Sequence, residues 1–248
     1  MRLTLAESRL LKDSVGIISE LVSEVNFKID KDKIEILAVD PANVVMIVFR
    51  LLGSAFIEYD VKKEESIAVS LDNLKQILRR VKPTDTLTLE LDEDKNRLRV
   101  LLKGDNHRTF HLNLIDIEDR EQKIPDLEFP VKVEMNSQVL EEAIEDVGIV
   151  AESVGFNVSK DRFVIESESN FSNANVELKQ DEETLIELMG DSTKAKYSIE
   201  YLKKIVKGGK LADKAVVQFN KDYPLKIDFR VLNKLDLSFI LAPRVDNV

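Results

Sequence analysis

Apolar residues recur along this chain with two periods, one typical of helices and one typical of strands. A run of five apolar residues follows alternating spacings of four and three, which places them on one face of an amphipathic helix. These residues are Leu11, Val15, Ile18, Val22 and Val25. A second helical pattern covers residues 74–79. Strict alternation at Leu87, Leu89 and Leu91 predicts a strand with one buried face.

The same patterns return in the second half of the chain. From Leu11 to Leu140 the shift is 129 residues, and all five apolar positions recur at identical spacing. They are Leu140, Ile144, Val147, Ala151 and Val154. The second helical pattern returns as residues 202–207, followed by an alternating strand at 216–219. We therefore predict two copies of one domain.

A charged run over residues 118–123 separates the two halves and is followed by Ile124 and Pro125. So much charge does not fit a core, so an extended connector is predicted. The predicted organisation is an N-terminal domain over 1–117, a connector over 118–130 and a C-terminal domain over 131–248. Each domain is expected to hold two helices and about eight short strands. The predicted fold class is α+β.

Charge and composition limit the function. The 248 residues include 36 basic and 46 acidic side chains, a formal charge of −10, which argues against nucleic-acid binding by the whole surface. Any DNA contact must come from a local basic patch. With no cysteine, no leader and no apolar run of about 18 residues, a cytoplasmic protein without a membrane partner is expected.

Three segments carry a resemblance to a known family, namely residues 37–44 (LAVDPANV), the Ile124-Pro125 pair and residues 241–244 (LAPR). Together with the repeat, they make the chain similar to the PCNA family of DNA sliding clamps, in its archaeal form. The resemblance implies the DNA-clamp fold, with three chains forming a ring, helices lining the hole and sheets outside. It also implies a processivity factor for DNA replication and repair, associated with the nucleoid.

Basic residues are concentrated on the predicted helices. A clamp must hold duplex DNA without reading its sequence, which favours weak attraction to phosphates. Such residues often only solvate a helix, but their recurrence in both halves of an acidic chain favours DNA contact. Lys12 is added because it matches a position that faces the hole in the family. The predicted DNA-facing residues are Arg9, Lys12, Lys75, Arg79, Lys203, Lys204, Lys207 and Lys210.

The resemblance also implies an apolar pocket for a short peptide motif of client proteins. The clients expected in the family are DNA polymerase, clamp loader, flap nuclease and ligase. Gln122 stands where the eukaryotic pattern favours leucine, which predicts a more open pocket. Most apolar strand residues are ordinary core, so only the connector and C-terminal positions escape that alternative. The predicted pocket residues are Val39, Val44, Met46, Ile124, Pro125, Pro224, Phe239, Ile240, Leu241, Ala242 and Pro243.

The helix predicted at residues 137–152 is acidic where several clamps are basic, so it either leaves part of the hole without positive charge or faces a neighbouring subunit. Glu142 and Asp146 are four residues apart and share one face. They lie near residues 173–180, which resemble the family's interface strand. We predict ion pairs from these acids to a basic flank beside the complementary edge strand at 110–114. The predicted basic residues are Arg80, Lys82 and Arg108.

Catalytic chemistry is poorly represented. His107 and His111 lie beside and within a strand, where a four-residue spacing does not align them as on a helix. Gly208-Gly209 reads as a helix stop. The acidic group of Asp116, Glu118 and Asp119 lacks a rigid shell for Mg²⁺. We expect no enzyme, no cofactor and no metal. A metal-dependent nuclease, a plain scaffold and a subunit of a mixed or checkpoint ring stay open as alternatives.

Overall fold

The computed structural model describes residues 1–117, 122–190 and 192–244. The chain forms two compact units. The first consists of Met1–Pro41, Ile47–Lys123 and Val231–Leu237, and the second of Ala42–Met46, Ile124–Arg230 and Ser238–Val248. Neither unit is therefore a single continuous range, because each includes a short segment from the other half of the sequence.

The first half of the chain contains two α-helices, α1 (Arg9–Ile18) and α2 (Leu71–Leu78). Its strands are β1 (Arg2–Leu5), β2 (Glu24–Ile29), β3 (Lys33–Val39), β4 (Val45–Leu52), β5 (Glu58–Asp60), β6 (Glu65–Ser70), β7 (Thr86–Asp92), β8 (Arg97–Lys103) and β9 (His107–Asn113). Five of them follow the order β5-β1-β7-β8-β9, and the other four follow the order β4-β3-β2-β6. Short 3₁₀ turns occupy Gly53–Ala55 and Glu93–Lys95.

The second half contains α3 (Ser137–Val147) and α4 (Ile199–Ile205), the latter continued by a 3₁₀ turn over Val206–Lys210. Its strands are β10 (Val131–Asn136), β11 (Ser153–Ser159), β12 (Arg162–Glu168), β13 (Asn173–Lys179), β14 (Leu185–Leu188), β15 (Ser192–Ser198), β16 (Lys214–Phe219), β17 (Leu225–Val231) and β18 (Leu235–Leu241). They follow the orders β14-β10-β16-β17-β18 and β13-β12-β11-β15.

The two halves have one topology, because each strand of the first corresponds to the strand nine places later in the second. The repeat and the α+β class predicted from the sequence are confirmed, with nine strands per half among the described residues rather than eight. In the second unit, Phe156, Phe163, Tyr197 and Phe219 form an aromatic cluster with ring centroids 5.3 to 6.1 Å apart. This cluster joins residues of β11, β12, β15 and β16 and forms part of the core of the second unit.

The first helix is shorter than the apolar pattern predicts. It ends at Ile18, and the Leu21 N–H then bonds to the carbonyl of Ile18 three residues back, which tightens the last turn. Val25 is buried because it lies in β2, whose burial alternates, and not because it continues the helix. The buried residues of β2 by chance continue the helical spacing of α1, so periodicity alone does not show where the helix ends and the strand begins.

Gly208 and Gly209 lie within the 3₁₀ turn after α4, so they are part of a helical segment rather than a left-handed stop. At Gly208 an added Cβ would lie 2.3 Å from the ring of Phe229. The close approach of that ring requires glycine here. Left-handed conformations instead occur at polar turn residues such as Asn96, between β7 and β8, and Asp222, between β16 and β17.

Candidate functional site

In the first unit, α1 and α2 pack against each other, and each helix has one buried apolar face. The Ser70 hydroxyl accepts from the Asn73 N–H at 3.4 Å and caps α2. Lys75 donates to the Ser19 hydroxyl at 2.8 Å, which fixes the lysine between the two helices. Of the predicted DNA-facing residues here, Arg9 and Arg79 are exposed, while Lys12 and Lys75 are half-buried.

In the second unit, the predicted cations on α4 have acidic partners. Lys203 pairs with Glu145 of α3 at 3.0 Å, and its stem passes Gly148, where an added Cβ would lie 2.6 Å from the lysine Cε. Lys204 pairs with Glu200 at 2.8 Å, a bond that lowers the pKa of the glutamate. Lys207 and Lys210 follow in the 3₁₀ turn. The predicted basic helix is therefore partly neutralised by its own neighbours.

The acidic face of α3 remains accessible. Glu142 and Asp146 are exposed, and Gln138 donates to Glu142 at 2.8 Å. Helix α3 packs against β12 and β13. Helix α3 therefore lies beside β13, whereas the proximity of its acidic face to the strand at 173–180 and the role of that face as a subunit interface stay predictions.

Arg108 does not have the free guanidinium that an intersubunit ion pair needs. It forms an ion pair with the buried carboxylate of Asp85 and donates to the Arg80 carbonyl at 2.9 Å. The Lys82 N–H also bonds to Asp85, at 2.7 Å, and together these donors lower the pKa of that carboxyl, the backbone N–H contributing most. Arg108 thus stabilises the turn after α2. Arg80 is exposed, and Lys82 lies 3.7 Å from Asp105.

Two long strands have an uncovered edge among the described residues. β9 is the outer strand of its sheet, and β13 is the outer strand of the corresponding sheet of the second half. The other long outer strands receive a backbone hydrogen bond on that side. The Ile115 N–H donates to Ala68 of β6 at 3.0 Å, and the Arg244 N–H donates to Lys196 of β15 at 2.8 Å.

The predicted pocket residues differ widely in exposure. Phe239 and Leu241 are 1% and 0% exposed, and Phe239 packs on Phe229 with ring centroids 6.4 Å apart. These two residues are core rather than pocket lining, as is the buried Ile240. Val39 belongs to the first unit and is half-buried. Half-buried positions in the second unit are Val44, Met46, Pro224, Ala242 and Pro243.

The connector supplies the exposed part of the predicted pocket. Ile124 is 43% exposed and Pro125 is exposed, in a stretch without regular structure. The side-chain oxygen of Gln122 is buried and has no hydrogen-bond partner among the described residues. The charged residues 118–121 lie outside the described residues.

Comparison with known families covers nearly the whole chain. Residues 1–122 match the family model "Proliferating cell nuclear antigen, N-terminal domain", and residues 123–244 match the corresponding C-terminal domain. The chain belongs to the PCNA family. This confirms the family, the DNA-clamp fold and the function of DNA sliding clamp at the level predicted from the sequence. The junction between the two PCNA models lies in the predicted connector.

Two archaeal relatives match this chain over at least 94% of their own length. The DNA polymerase sliding clamp of Nanoarchaeum equitans is 35% identical over 99% of this chain and 100% of its own. That of Thermococcus gammatolerans is 36% identical over 94% of each chain. The crystal structure of PCNA from Thermococcus kodakaraensis has a TM-score of 0.92 at 28% identity and covers 98% of this chain and 99% of its own. PCNA from Entamoeba histolytica, at 20% identity and a TM-score of 0.93, supports the fold alone.

The acidic group of Asp116, Glu118 and Asp119, considered above only as an alternative metal site, lies partly outside the described residues. Glu118 and Asp119 lie outside the described residues, and elsewhere no group of three or more His, Cys, Asp or Glu in the described ranges could hold a metal ion. His107 and His111 are exposed on β9. Among the described residues, no helix has both the length and the apolar character needed to cross a membrane.

Proposed function

We propose that the chain is one subunit of a trimeric ring that encircles duplex DNA and tethers DNA polymerase, acting by topology rather than by catalysis. The observation that carries the proposal is the family match across both halves of a duplicated chain. The relatives are named as clamps of DNA polymerase. The proposed location is the nucleoid of an archaeal cell.

Ring assembly requires contacts that repeat head to tail and close. The uncovered edges of β9 and β13 are suited to this, since an exposed edge strand presents unpaired N–H and C=O groups. Both strands alternate exposed and less exposed residues, and the less exposed face is apolar in β13 and carries Phe110 and Leu112 beside Arg108 in β9. We define the seam as the junction of β13 with β9 of the next subunit.

The repeat itself supports this pairing. In the first unit the Leu52 N–H at the end of β4 donates to Lys234 just before β18, at 2.9 Å. In the second unit the Ala242 N–H just after β18 donates to Val44 before β4, also at 2.9 Å. The strands equivalent to β4 and β18 in the other half are β13 and β9. The seam would repeat between subunits a pairing that the chain already makes once within itself.

DNA contact is assigned to cations on the helices, because a clamp must slide. Weak phosphate contacts through water satisfy this requirement, and a Debye length of about 8 Å keeps distant acidic groups from cancelling them. Arg79 and Lys210 are exposed, as is Arg9, whose guanidinium lies 3.7 Å from the Glu7 carboxylate. Lys203 and Lys204 contribute less, because each already has a carboxylate partner.

Client proteins are proposed to dock on the exposed connector residues Ile124 and Pro125, with the half-buried residues of the second unit beside them. The proposed clients are polymerase, clamp loader, flap nuclease and ligase, each through a short peptide motif.

The test of the ring is retention on DNA without free ends. Loaded protein is expected to stay on a nicked circle at a salt concentration that removes it from the same DNA after linearisation. Light scattering of the purified chain is expected to give the mass of a trimer. The proposal is contradicted if the protein is monomeric at every concentration and is lost equally from circular and linear DNA. If the purified chain is monomeric but is still retained on circular DNA, a mixed ring with other subunits is favoured.

Changing Ile124 and Pro125 together to serine is expected to weaken a client peptide at least tenfold, about 1.4 kcal/mol. The reason is lost apolar contact at two exposed connector positions, so the ring itself should be unaffected. Titration of a fluorescent client peptide gives the affinity. The matched control replaces the exposed apolar residue Ile57, outside the connector, with serine. Equal affinity of the connector variant and the parent chain contradicts the pocket assignment.

A further inference from the structure

Phe171 is 98% exposed on a turn whose backbone is well fixed. In this turn between β12 and β13, the Ser169 N–H donates to the Ser172 carbonyl at 2.8 Å. The Ser169 hydroxyl accepts from the N–H of Ser172 at 3.2 Å and of Phe171 at 3.4 Å. An aromatic ring displayed on an ordered turn is typical of a contact residue.

The repeat identifies the position that Phe171 occupies. The Gly53 N–H donates to Asp32 at 2.7 Å, and the Gln180 N–H donates to Asp161 at 2.9 Å. Asp32 and Asp161 are equivalent, so Gly53 and Gln180 are equivalent as well. Val44 and Phe171 stand nine residues before Gly53 and Gln180, just before β4 and β13 respectively. Val44 is half-buried and accepts the hydrogen bond from Ala242, whereas Phe171 is exposed.

A second pair of matching hydrogen bonds identifies the segment that covers this position. The bond from Arg244 to Lys196 in the second half corresponds to the bond from Ile115 to Ala68 in the first. Ile115 is thus equivalent to Arg244, and Asn113 is equivalent to Ala242. The residue that meets Val44 within the chain therefore has its counterpart in Asn113.

We infer that Phe171 of each subunit packs across the seam on Asn113 and Ile115 of the next subunit. The inference rests on the proposed ring and adds the pairing register and an aromatic contact. Within the chain, Val44 lies against the segment around Ala242. The corresponding segment at Phe171, around Asn113, would be provided by a second copy of the chain. Burial of an aromatic side chain at a seam supplies much of the apolar area that holds such a contact together.

Cysteine pairs test the register directly, because the chain has no cysteine of its own. Phe171→Cys combined with Asn113→Cys in one chain is expected to give covalent dimers and trimers on mild oxidation, since directly opposite residues are close enough for a disulfide. The control combines Asn113→Cys with Met189→Cys, at a residue that is 81% exposed in the same unit, and should give none. Cross-linking in both variants or in neither overturns the inference.

A side-chain deletion tests the energy of the contact. The measurement is made at a fixed urea concentration that brings dissociation of the parent trimer into the measurable range. There, Phe171→Ala is expected to raise the protein concentration at which half of the trimer is dissociated at least tenfold, while Met189→Ala changes it less than twofold. The melting temperature of the monomer should not change, because the Phe171 side chain is exposed in the single chain. A trimer unaffected by Phe171→Ala rejects the contact but not the ring. A parent chain that never forms a trimer rejects both.

Discussion

Replacing Glu142 and Asp146 together with lysine is expected to dissociate the ring into monomers. Both side chains are exposed on α3, which packs against β13 and so lies at the proposed seam. Across the seam they would meet Arg80 and Lys82, which follow α2 beside β9. Exposed ion pairs contribute only about 0 to 1 kcal/mol each, but like charges placed together at an interface cost several kcal/mol. Sedimentation should show the half-dissociation concentration rising more than about a hundredfold.

The control for this reversal changes the same charge elsewhere. Glu64→Lys with Asp94→Lys alters two exposed acids in turns of the first unit and should leave the trimer intact. Adding Arg80→Glu and Lys82→Glu to the α3 reversal should restore the ring. Arg108 is left unchanged in the rescue, because its guanidinium is paired with Asp85 and its loss would disturb the fold. A full trimer after the first reversal would mean that the acidic face lines the hole or meets solvent.

The repeat could be predicted from the sequence because each half must bury the same faces. Apolar residues at one offset place the helices, and the strand orders of the two halves then agree. Element ends were harder to predict. Val25 continues the helical spacing of α1 although it belongs to β2, and only the backbone hydrogen bonds after Ile18 show where the helix stops.

The partners of charged residues could not be predicted, because they depend on contacts distant in sequence. Arg108 and Asp85 are 23 residues apart, and Lys203 meets Glu145 on a different helix. The predicted roles of the two cations rest on charge together with the repeat for Lys203 and the resemblance of the edge strand for Arg108, and neither of these reveals the partner. The positions of Phe239, Ile240 and Leu241 show the converse error, since a resemblance to a pocket segment does not tell which of its residues are buried in the core. The sequence does not point to Phe171, because a single aromatic residue in a turn has no periodic pattern. Its alignment with Val44 in the internal repeat is the one signal that could have indicated it.

Removing four cations from the helices should impair DNA loading without affecting the ring. The variant changes Lys75, Arg79, Lys203 and Lys207 to alanine, two residues from each half. Each lost phosphate contact lowers the salt dependence of DNA binding by about 0.9 in logarithmic slope, so the deficit should be largest at low salt and narrow as salt rises. Because Lys203 is already paired with Glu145, its single replacement should change the slope least. Loading on nicked circles over a salt series gives the slope.

The control for the helix cations removes the same net charge from turns. It replaces Lys31, Lys62, Lys160 and Lys221, all exposed, with alanine. If attraction came from overall charge, both quadruple variants would lose loading equally, since each removes four positive charges from an acidic chain. If it comes from helices that line a hole, only the helix variant loses loading, because charges on turns outside that hole would be screened from the duplex beyond a Debye length of about 8 Å. Normal loading and an unchanged slope in the helix variant would show that these residues only solvate their helices.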